Sequence, residues 1–429
     1  MKKAVVVGSG AGGATVAKEL QGSFDVTVLE AGKEFQPLTL SLKIPERLKR
    51  MKLLFDERQI PLIFPPMRIQ KMPDGMVHVR GIGTGGTTPL GTANALRMDH
   101  DLKKMGIHLD AEFEELSREI PITTAHRSKW RETTNRLYEL CRDMGLNPQP
   151  TPKMADPGLC QGCGRCILGC LSGAKWDSRM FLQDALAQGA RLITGCAVKE
   201  IVNQNGQASG VRAAIRGRPK FFRADLIVLA AGGLGTPVIL QDSGIPCEPR
   251  LFVDPILCVA TDWTNACQNR EIPMPFVVQK DHYIVSPYFD HLSYFFNKRW
   301  KAPAQNILSL MIKLADANSG RVTGRRIHKW LTSEDKDRLK AAVDFCTEIL
   351  LRLSVKKEHI FTGTINAGHP GGMLPLTPDE AETLHSPRLP ENVYVADASL
   401  LPGSLGNPPS LTIMALAKRI GRAAKIAHS

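Results

Sequence analysis

The chain opens with a short apolar run at residues 2–7. A glycine-dense turn follows, Gly8-Ser9-Gly10-Ala11-Gly12-Gly13, then a stretch with helical spacing at residues 14–20, and a second apolar run at residues 25–29 that ends on Glu30. Two short β-branched runs joined in this way predict one β-α-β unit of a parallel sheet. Strand-like runs recur at residues 191–201, 210–215, 226–231 and 393–396, and a closing helix starts at about residue 410. Between these the pattern changes. Residues 110–147 have helical spacing, residues 250–310 alternate and carry aromatics as antiparallel strands do, and residues 333–355 read as a helix. Residues 157–173 form a cysteine-bearing loop, with a helix predicted near residues 178–188.

This order predicts an α/β (α+β) fold with a Rossmann-like dinucleotide domain and a smaller antiparallel-sheet substrate domain. The first is expected to be discontinuous, over residues 1–40, 76–109, 189–249 and 356–429. The second, with its lid, is expected over residues 41–75, 110–156 and 250–355, and residues 157–188 form a cysteine-rich insertion. At 429 residues, 43% hydrophobic and 23% charged, the chain has the composition of a globular protein rather than a disordered, collagen-like or coiled-coil one. The apolar run after Met1-Lys2-Lys3 is too short for a secretory signal, and no stretch of about 18 apolar residues could span a bilayer. A cytoplasmic location is therefore expected. The net charge of +13 is concentrated at residues 41–80 and 298–340. These stretches fit either solvated helix faces or contact with an anionic partner or membrane headgroups; no nucleic-acid partner is expected.

Three segments carry candidate chemistry. In Gly8-x-Gly10-x-x-Gly13, Gly8 permits the sharp turn, Gly10 lets a pyrophosphate approach the backbone, and Gly13 lets the helix pack on the strand. Glu30, ending the second strand, suits a ribose hydroxyl. Gly81-Ile82-Gly83-Thr84-Gly85-Gly86-Thr87-Thr88 offers backbone and hydroxyls to the same pyrophosphate or to a flavin edge. Near the C-terminus, His369-Pro370-Gly371-Gly372 and the segments at Asp397-Ala398-Ser399 and Gly406-Asn407-Pro408-Pro409 let backbone lie against a planar ligand. His369 is the one histidine in such a loop, and a neutral imidazole suits proton abstraction.

Together, in this order and spacing, these segments resemble the glucose–methanol–choline (GMC) family of FAD-dependent oxidoreductases. The branch most similar is the long-chain alcohol oxidase type, on Cys170-Leu171-Ser172-Gly173-Ala174-Lys175 and the run from Gly189 to Cys196. The resemblance implies FAD rather than NAD, with a base taking the alcohol proton while hydride passes to the flavin. It assigns that base to His369, and to Asn407 a hydrogen bond to the substrate oxygen. It implies FAD contacts from Gly8, Gly10, Ala11, Gly13, Glu30 and Ala31, from Gly85, Gly86 and Thr87, and from Val198, Ala231, Gly232, Asp397, Asn407 and Pro408. The usual His-x-x-Gly-Thr is replaced here by His369-Pro370-Gly371-Gly372-Met373, and the chain is short for the family, mainly within residues 250–355.

Cys160-x2-Cys163-x2-Cys166-x3-Cys170 has the spacing of bacterial ferredoxins and predicts a [4Fe-4S] cluster. Zinc, or thiols kept for packing or redox bonding, are the other readings. The fourth ligand is either Cys170 or a distant cysteine, with Cys141 and Cys196 nearest in sequence. A cluster implies a dehydrogenase feeding an external carrier, and the basic surface suits an acidic, ferredoxin-like one. The alternatives are an oxidase using O2 with structural cysteines, a flavin-dependent reductase, or an electron-transfer subunit. Residues 53–67, 294–300 and 307–314 mix bulky apolar groups with cations. They read either as core or as a lid over a lipid-like substrate that touches a membrane surface, and they favour a hydrophobic alcohol.

Overall fold

The first strand, Lys2–Val7, is buried from Ala4 onward because it lies in the middle of a sheet. The computed structural model describes every residue except 54, 55, 73, 205, 325 and 429; Leu54 and Phe55 of the apolar stretch and Arg325 of the basic stretch therefore lie outside the described residues. Lys2–Val7 is flanked by Leu226–Leu229 and Phe24–Glu30, and beyond these by Val393–Val395 and Arg191–Thr194, all parallel. The helix Ala11–Glu19 packs between this sheet and the closing helix Ser410–His428. The approach is close: a Cβ on Gly13 would sit 2.0 Å from the Gly8 carbonyl oxygen, and one on Gly12 1.6 Å from that of Ala396.

The expected strand over residues 191–201 is two strands. Gly195, at φ +64°, breaks it, so that Arg191–Thr194 joins the parallel sheet and Cys196–Gln204 pairs with Gln207–Ile215 and Arg218–Arg223 in a separate antiparallel sheet. The helical stretch at residues 110–147 is likewise two helices, Asp110–Glu119 and Glu132–Asp143.

The second large sheet holds Ile256–Asp262, Ile307–Leu314, Tyr283–Pro287 and Phe276–Gln279, antiparallel as expected. It extends further than the sequence pattern suggests. Val77–Gly81, from a stretch expected in the dinucleotide domain, pairs with Met67–Lys71 and with Asn366–Ala367, and the latter meets Ile256. Its core lies between the sheet and the helix Ser333–Arg352. Residues 294–300 and 307–314 go largely to this body: Tyr294, Trp300 and the whole strand Ile307–Leu314 are buried. In the basic stretch, Lys313 and Lys329 are buried too.

Candidate active site

The two glycine-rich turns face each other where the parallel strands end. Gly8 has φ +98°, and a Cβ there would lie 2.3 Å from the Ala230 carbonyl oxygen. A Cβ on Gly86, at φ +58°, would lie 2.9 Å from Gly10 Cα, so backbone meets backbone with no side chain between. Gly85 N–H donates to Ser9 Oγ at 3.2 Å and fastens the turns together. Glu30 is buried at the end of its strand and accepts from Ser9 N at 3.1 Å, Ser9 Oγ at 2.7 Å and Gly32 N at 2.8 Å. Burial raises its pKa, and these bonds oppose the shift. Ala11 opens the helix and is half-buried; Ala31, next to Glu30, is exposed; Val198 is half-buried on Cys196–Gln204.

The other expected cofactor contacts divide by role. Thr87 Oγ1 accepts from Gly81 N at 3.1 Å, inside its own loop. Asp397 is committed within the protein: it accepts from Gly232 N at 2.8 Å, Thr236 Oγ1 at 2.5 Å and Ser399 N at 2.9 Å. It thereby fixes the Ala231–Gly232 turn, where the helix Gly232–Asp242 begins. The residues present fit an FAD pyrophosphate and ribose: a side-chain-free gap between glycines, a helix start and a buried carboxylate.

An apolar cavity of about 310 Å³ runs from Leu38, Leu42, Ile60 and Phe64 inward to His369, Lys313 and Pro408. His369 sits just after Asn366–Ala367, in the second sheet's loop. Its side chain is 26% exposed, and its Nδ1 is covered, lacks a hydrogen-bond partner and lies 3.9 Å from Asp254 Oδ2. Nε2 makes no hydrogen bond to protein and is not among the buried unpaired atoms, so it is the accessible nitrogen. Burial, the Lys313 ammonium and nearby His78 hold the His369 pKa well below its ordinary value, so the imidazole is neutral at pH 7. Asn407 is buried beside Pro408. Its Nδ2 donates at 3.3 Å to both Gln279 Oε1 and Leu405 O, and its Oδ1 has no partner.

Three residues here escaped the sequence reading. Asp254, at φ +50°, pairs with Lys313, accepts from Ser404 Oγ and lies 3.4 Å from Gly406 N, so it ties the His369 floor to the loop that carries Asn407. His78 is fully buried with both ring nitrogens unpaired, and burial lowers its pKa to about 3. The one available signal was a lysine inside the apolar run 307–314.

A second, smaller cavity of about 40 Å³ is lined by all four clustered cysteines together with Lys153 and Lys175. Gly162, Gly164 and Gly169, with φ of +58°, +71° and +88°, let the loop turn between the thiols. Cys163 is exposed and the other three are half-buried. Cys170 Sγ accepts from Lys175 N at 3.5 Å and lies 3.4 Å from Ser172 Oγ; burial works against its thiolate, but these and neighbouring backbone bonds bring its pKa below the ordinary value. Burial raises Cys166 to about 11 and lowers Lys153 to about 7. Cys141 and Cys196 are buried in two separate cores and do not line the cavity, which leaves Cys170 as its fourth thiol. Among the described residues no three His, Cys, Asp or Glu side chains converge as a single-ion site would require. Thr92 and Ala93 line both cavities and form a shared wall. Among the described residues no helix is long and apolar enough to cross a membrane.

Comparison with known proteins agrees with this arrangement. The GMC oxidoreductase family model matches residues 95–257. An uncharacterized protein of Methanocaldococcus jannaschii is 26% identical over 423 residues, covering 97% of this chain and 98% of that protein. A long-chain-alcohol oxidase of Arabidopsis thaliana is 26% identical over 268 residues, covering 56% of this chain and 34% of the oxidase, so the match spans about a third of that relative's length. Among solved structures, pyridoxine 4-oxidase from Mesorbium loti has the same fold, with a TM-score of 0.72 over 98% of this chain and 99% of that one at 16% identity.

Proposed function

This chain belongs to the GMC oxidoreductase family of FAD-dependent enzymes, and from that premise we propose that it oxidises a hydrophobic alcohol and sends the electrons through an iron–sulfur cluster at Cys160, Cys163, Cys166 and Cys170 to an external carrier. The observation that carries the alcohol chemistry is a neutral, accessible His369 Nε2 at the floor of the 310 Å³ apolar cavity. FAD, when bound, supplies the hydride acceptor. Nε2 takes the hydroxyl proton. Nδ1 faces Asp254 Oδ2 at 3.9 Å, a carboxylate already paired with Lys313, so the imidazole stays a weak base that passes its proton on. Asn407 is buried beside the lining residue Pro408, and its two N–H groups make only long bonds, 3.3 Å each; turned from Gln279 or Leu405 toward the cavity, one of them would donate to the substrate oxygen as its proton leaves.

The cavity's lining supports a hydrophobic substrate. Leu38, Leu42, Ile60 and Phe64 surround the outer part, and Ile44 and Ile63 at its rim are 51% and 54% exposed. The rim helix, Lys43–Arg50, carries four cations and buries no residue, so the apolar mouth is edged with positive charge. A second reading, direct reaction with O2 and structural cysteines, is favoured by the oxidase names of the plant relative and the structural neighbour.

The test is anaerobic bleaching of the bound flavin by primary alcohols of increasing chain length. Longer alcohols are expected to reduce it faster. His369→Gln is expected to slow reduction roughly 10²–10⁴-fold, the range for loss of a general base, with flavin content unchanged. An unslowed His369→Gln, or a flavin that no alcohol bleaches, rejects the assignment. Oxygen uptake that matches alcohol consumed would favour the oxidase reading.

A further inference from the structure

Five lysines are buried among the described residues: Lys153, Lys175, Lys313, Lys329 and Lys418. Three bring carboxylates with them. Lys313 pairs with Asp254, Lys329 with Asp316 at 2.7 Å, and Lys418 with Glu19, Glu115 and Glu119 at 2.7, 3.3 and 2.7 Å. Lys153 and Lys175 have no carboxylate at ion-pair distance among the described residues, and both line the cysteine cavity.

Their ammonium groups are held by neutral oxygens instead. Lys153 Nζ donates to Thr92 O at 3.2 Å, Pro273 O at 2.6 Å and Asn94 Oδ1. Lys175 Nζ donates to Pro89 O at 2.5 Å, Cys166 O at 2.9 Å, Gly91 O at 3.0 Å and Thr88 O at 3.4 Å. These bonds satisfy the donors and leave the charge unbalanced. Two buried amines at one small cavity, with no carboxylate at ion-pair distance, hold their charge poorly unless an anion completes the site. The side chains around that cavity that can carry negative charge are the four thiols. A [4Fe-4S] core in its oxidised form, held by four thiolates, is a dianion, and it takes one thiolate at each iron corner.

We propose that Cys160, Cys163, Cys166 and Cys170 hold a [4Fe-4S] cluster whose double negative charge is balanced by Lys153 and Lys175, which act as positioning residues for its redox potential. This deepens the relay reading above and rests on it. Adding an electron makes the site more negative, so the two cations favour the reduced form and raise the potential. The same ammonium groups grip residues 88–94, which follow the Gly85-Gly86-Thr87 turn and include the wall shared with the apolar cavity. Oxidation of one alcohol releases two electrons and two protons. The electrons cross that wall singly to two turns of a one-electron carrier, the hydroxyl proton leaves by way of His369, and the hydrogen moved as hydride is released as a proton to solvent once its two electrons have left.

Anaerobically purified protein, reconstituted with ferrous iron and sulfide, is expected to hold about four irons and four acid-labile sulfides per chain. Cys163→Ala, at the exposed thiol, is expected to lose them. Lys153→Met and Lys175→Met are expected to keep iron and to lower the potential in an EPR-monitored titration. The expected shift is at least a tenfold change in the reduced-to-oxidised ratio, about 59 mV for a one-electron couple. The arginine variants at both positions are expected to restore it, and the glutamine variants replace the methionine ones should those fail to fold. Uptake of zinc without sulfide, or of no metal, overturns the site. Iron bound with the potential unmoved in the charge-removing variants at both positions overturns the role of the lysines. Iron content and potential are read without turnover, so their failure is distinct from failure of the His369 test.

Discussion

Lys313 and Lys153 are buried to the same degree in two neighbouring cavities, and they are stabilised in opposite ways. Lys313 sits on a strand of the second sheet with Asp254 against it, so its site is neutral as built. Lys153 rests on carbonyl and amide oxygens with no carboxylate beside it, so its positive form has no counter-charge. The first arrangement is self-contained and serves to hold other groups: through Asp254 it joins the His369 loop to the Asn407 loop. The second is incomplete without an anion. A buried charge with its own partner marks a structural joint, and one without a partner marks a place for something else.

The largest expected effect breaks the self-contained site. Asp254→Asn leaves the Lys313 ammonium buried without a counter-charge, and loss of one member of a buried pair typically costs about 3–5 kcal/mol. In the iron-free protein, Lys153→Met removes a cation that had no partner. The relief of burying it offsets the roughly 1–3 kcal/mol for carbonyls left unpaired, so less than half the Asp254→Asn loss is expected. Urea denaturation of both variants measures this. Equal losses would mean that Lys153 has a counter-charge in the folded chain, and the contrast between the cavities would disappear.

Acid sharpens the comparison from the side of the histidines. Burial lowers the pKa of His78 to about 3 and of His291 to about 4, and that of His369 falls well below its usual value. In the unfolded chain each titrates at roughly 6.5. Below that value the unfolded chain binds protons that the folded one refuses, so stability is complete above about pH 6.5 and falls with pH. The loss continues to about pH 4 for His291 and about pH 3 for His78. Thermal midpoints measured from pH 8 down to pH 5 should therefore drop on the acid side. His78 makes no hydrogen bond, so His78→Leu is expected to be nearly neutral at pH 7 and to flatten that drop. An equally steep drop in His78→Leu would assign the acid sensitivity to other groups.

The two regions also differ in how far they can be read before folding. The dinucleotide cradle is legible because its requirements are local: Gly8, Gly10 and Gly13 are spaced by one turn, and Glu30 follows at the end of the next strand. The same holds for the thiol spacing from Cys160 to Cys170. The floor of the alcohol cavity is not legible in this way. Asp254, Lys313 and His78 come from three segments that meet only when distant strands pair, and Val77–Gly81 enters the second sheet through residues 366–367, nearly 300 positions away. Lys153 reads as an ordinary lysine and Lys175 only as the end of the motif that starts at Cys170, since nothing near either in sequence says that the chain folds over it. Tyr294 and Trp300, beside Lys298 and Arg299, fit either core or a surface lid by their sequence, and folding decides for the core: both turn inward.

The smallest expected effect tests whether charge matters at these sites because it is buried, or because it is charge. Arg118 and Glu114 form an i,i+4 pair on the helix Asp110–Glu119, with side chains 69% and 66% exposed. Water already solvates both groups, salt screens them, and ordering two long side chains offsets most of the attraction. Arg118→Ala is therefore expected to change stability by about 0.5 kcal/mol or less, and by less still in high salt. Urea denaturation at low and high salt measures this. A loss as large as that of Asp254→Asn would mean that paired charges hold this fold wherever they stand, and that the presence or absence of a carboxylate beside a buried lysine distinguishes nothing.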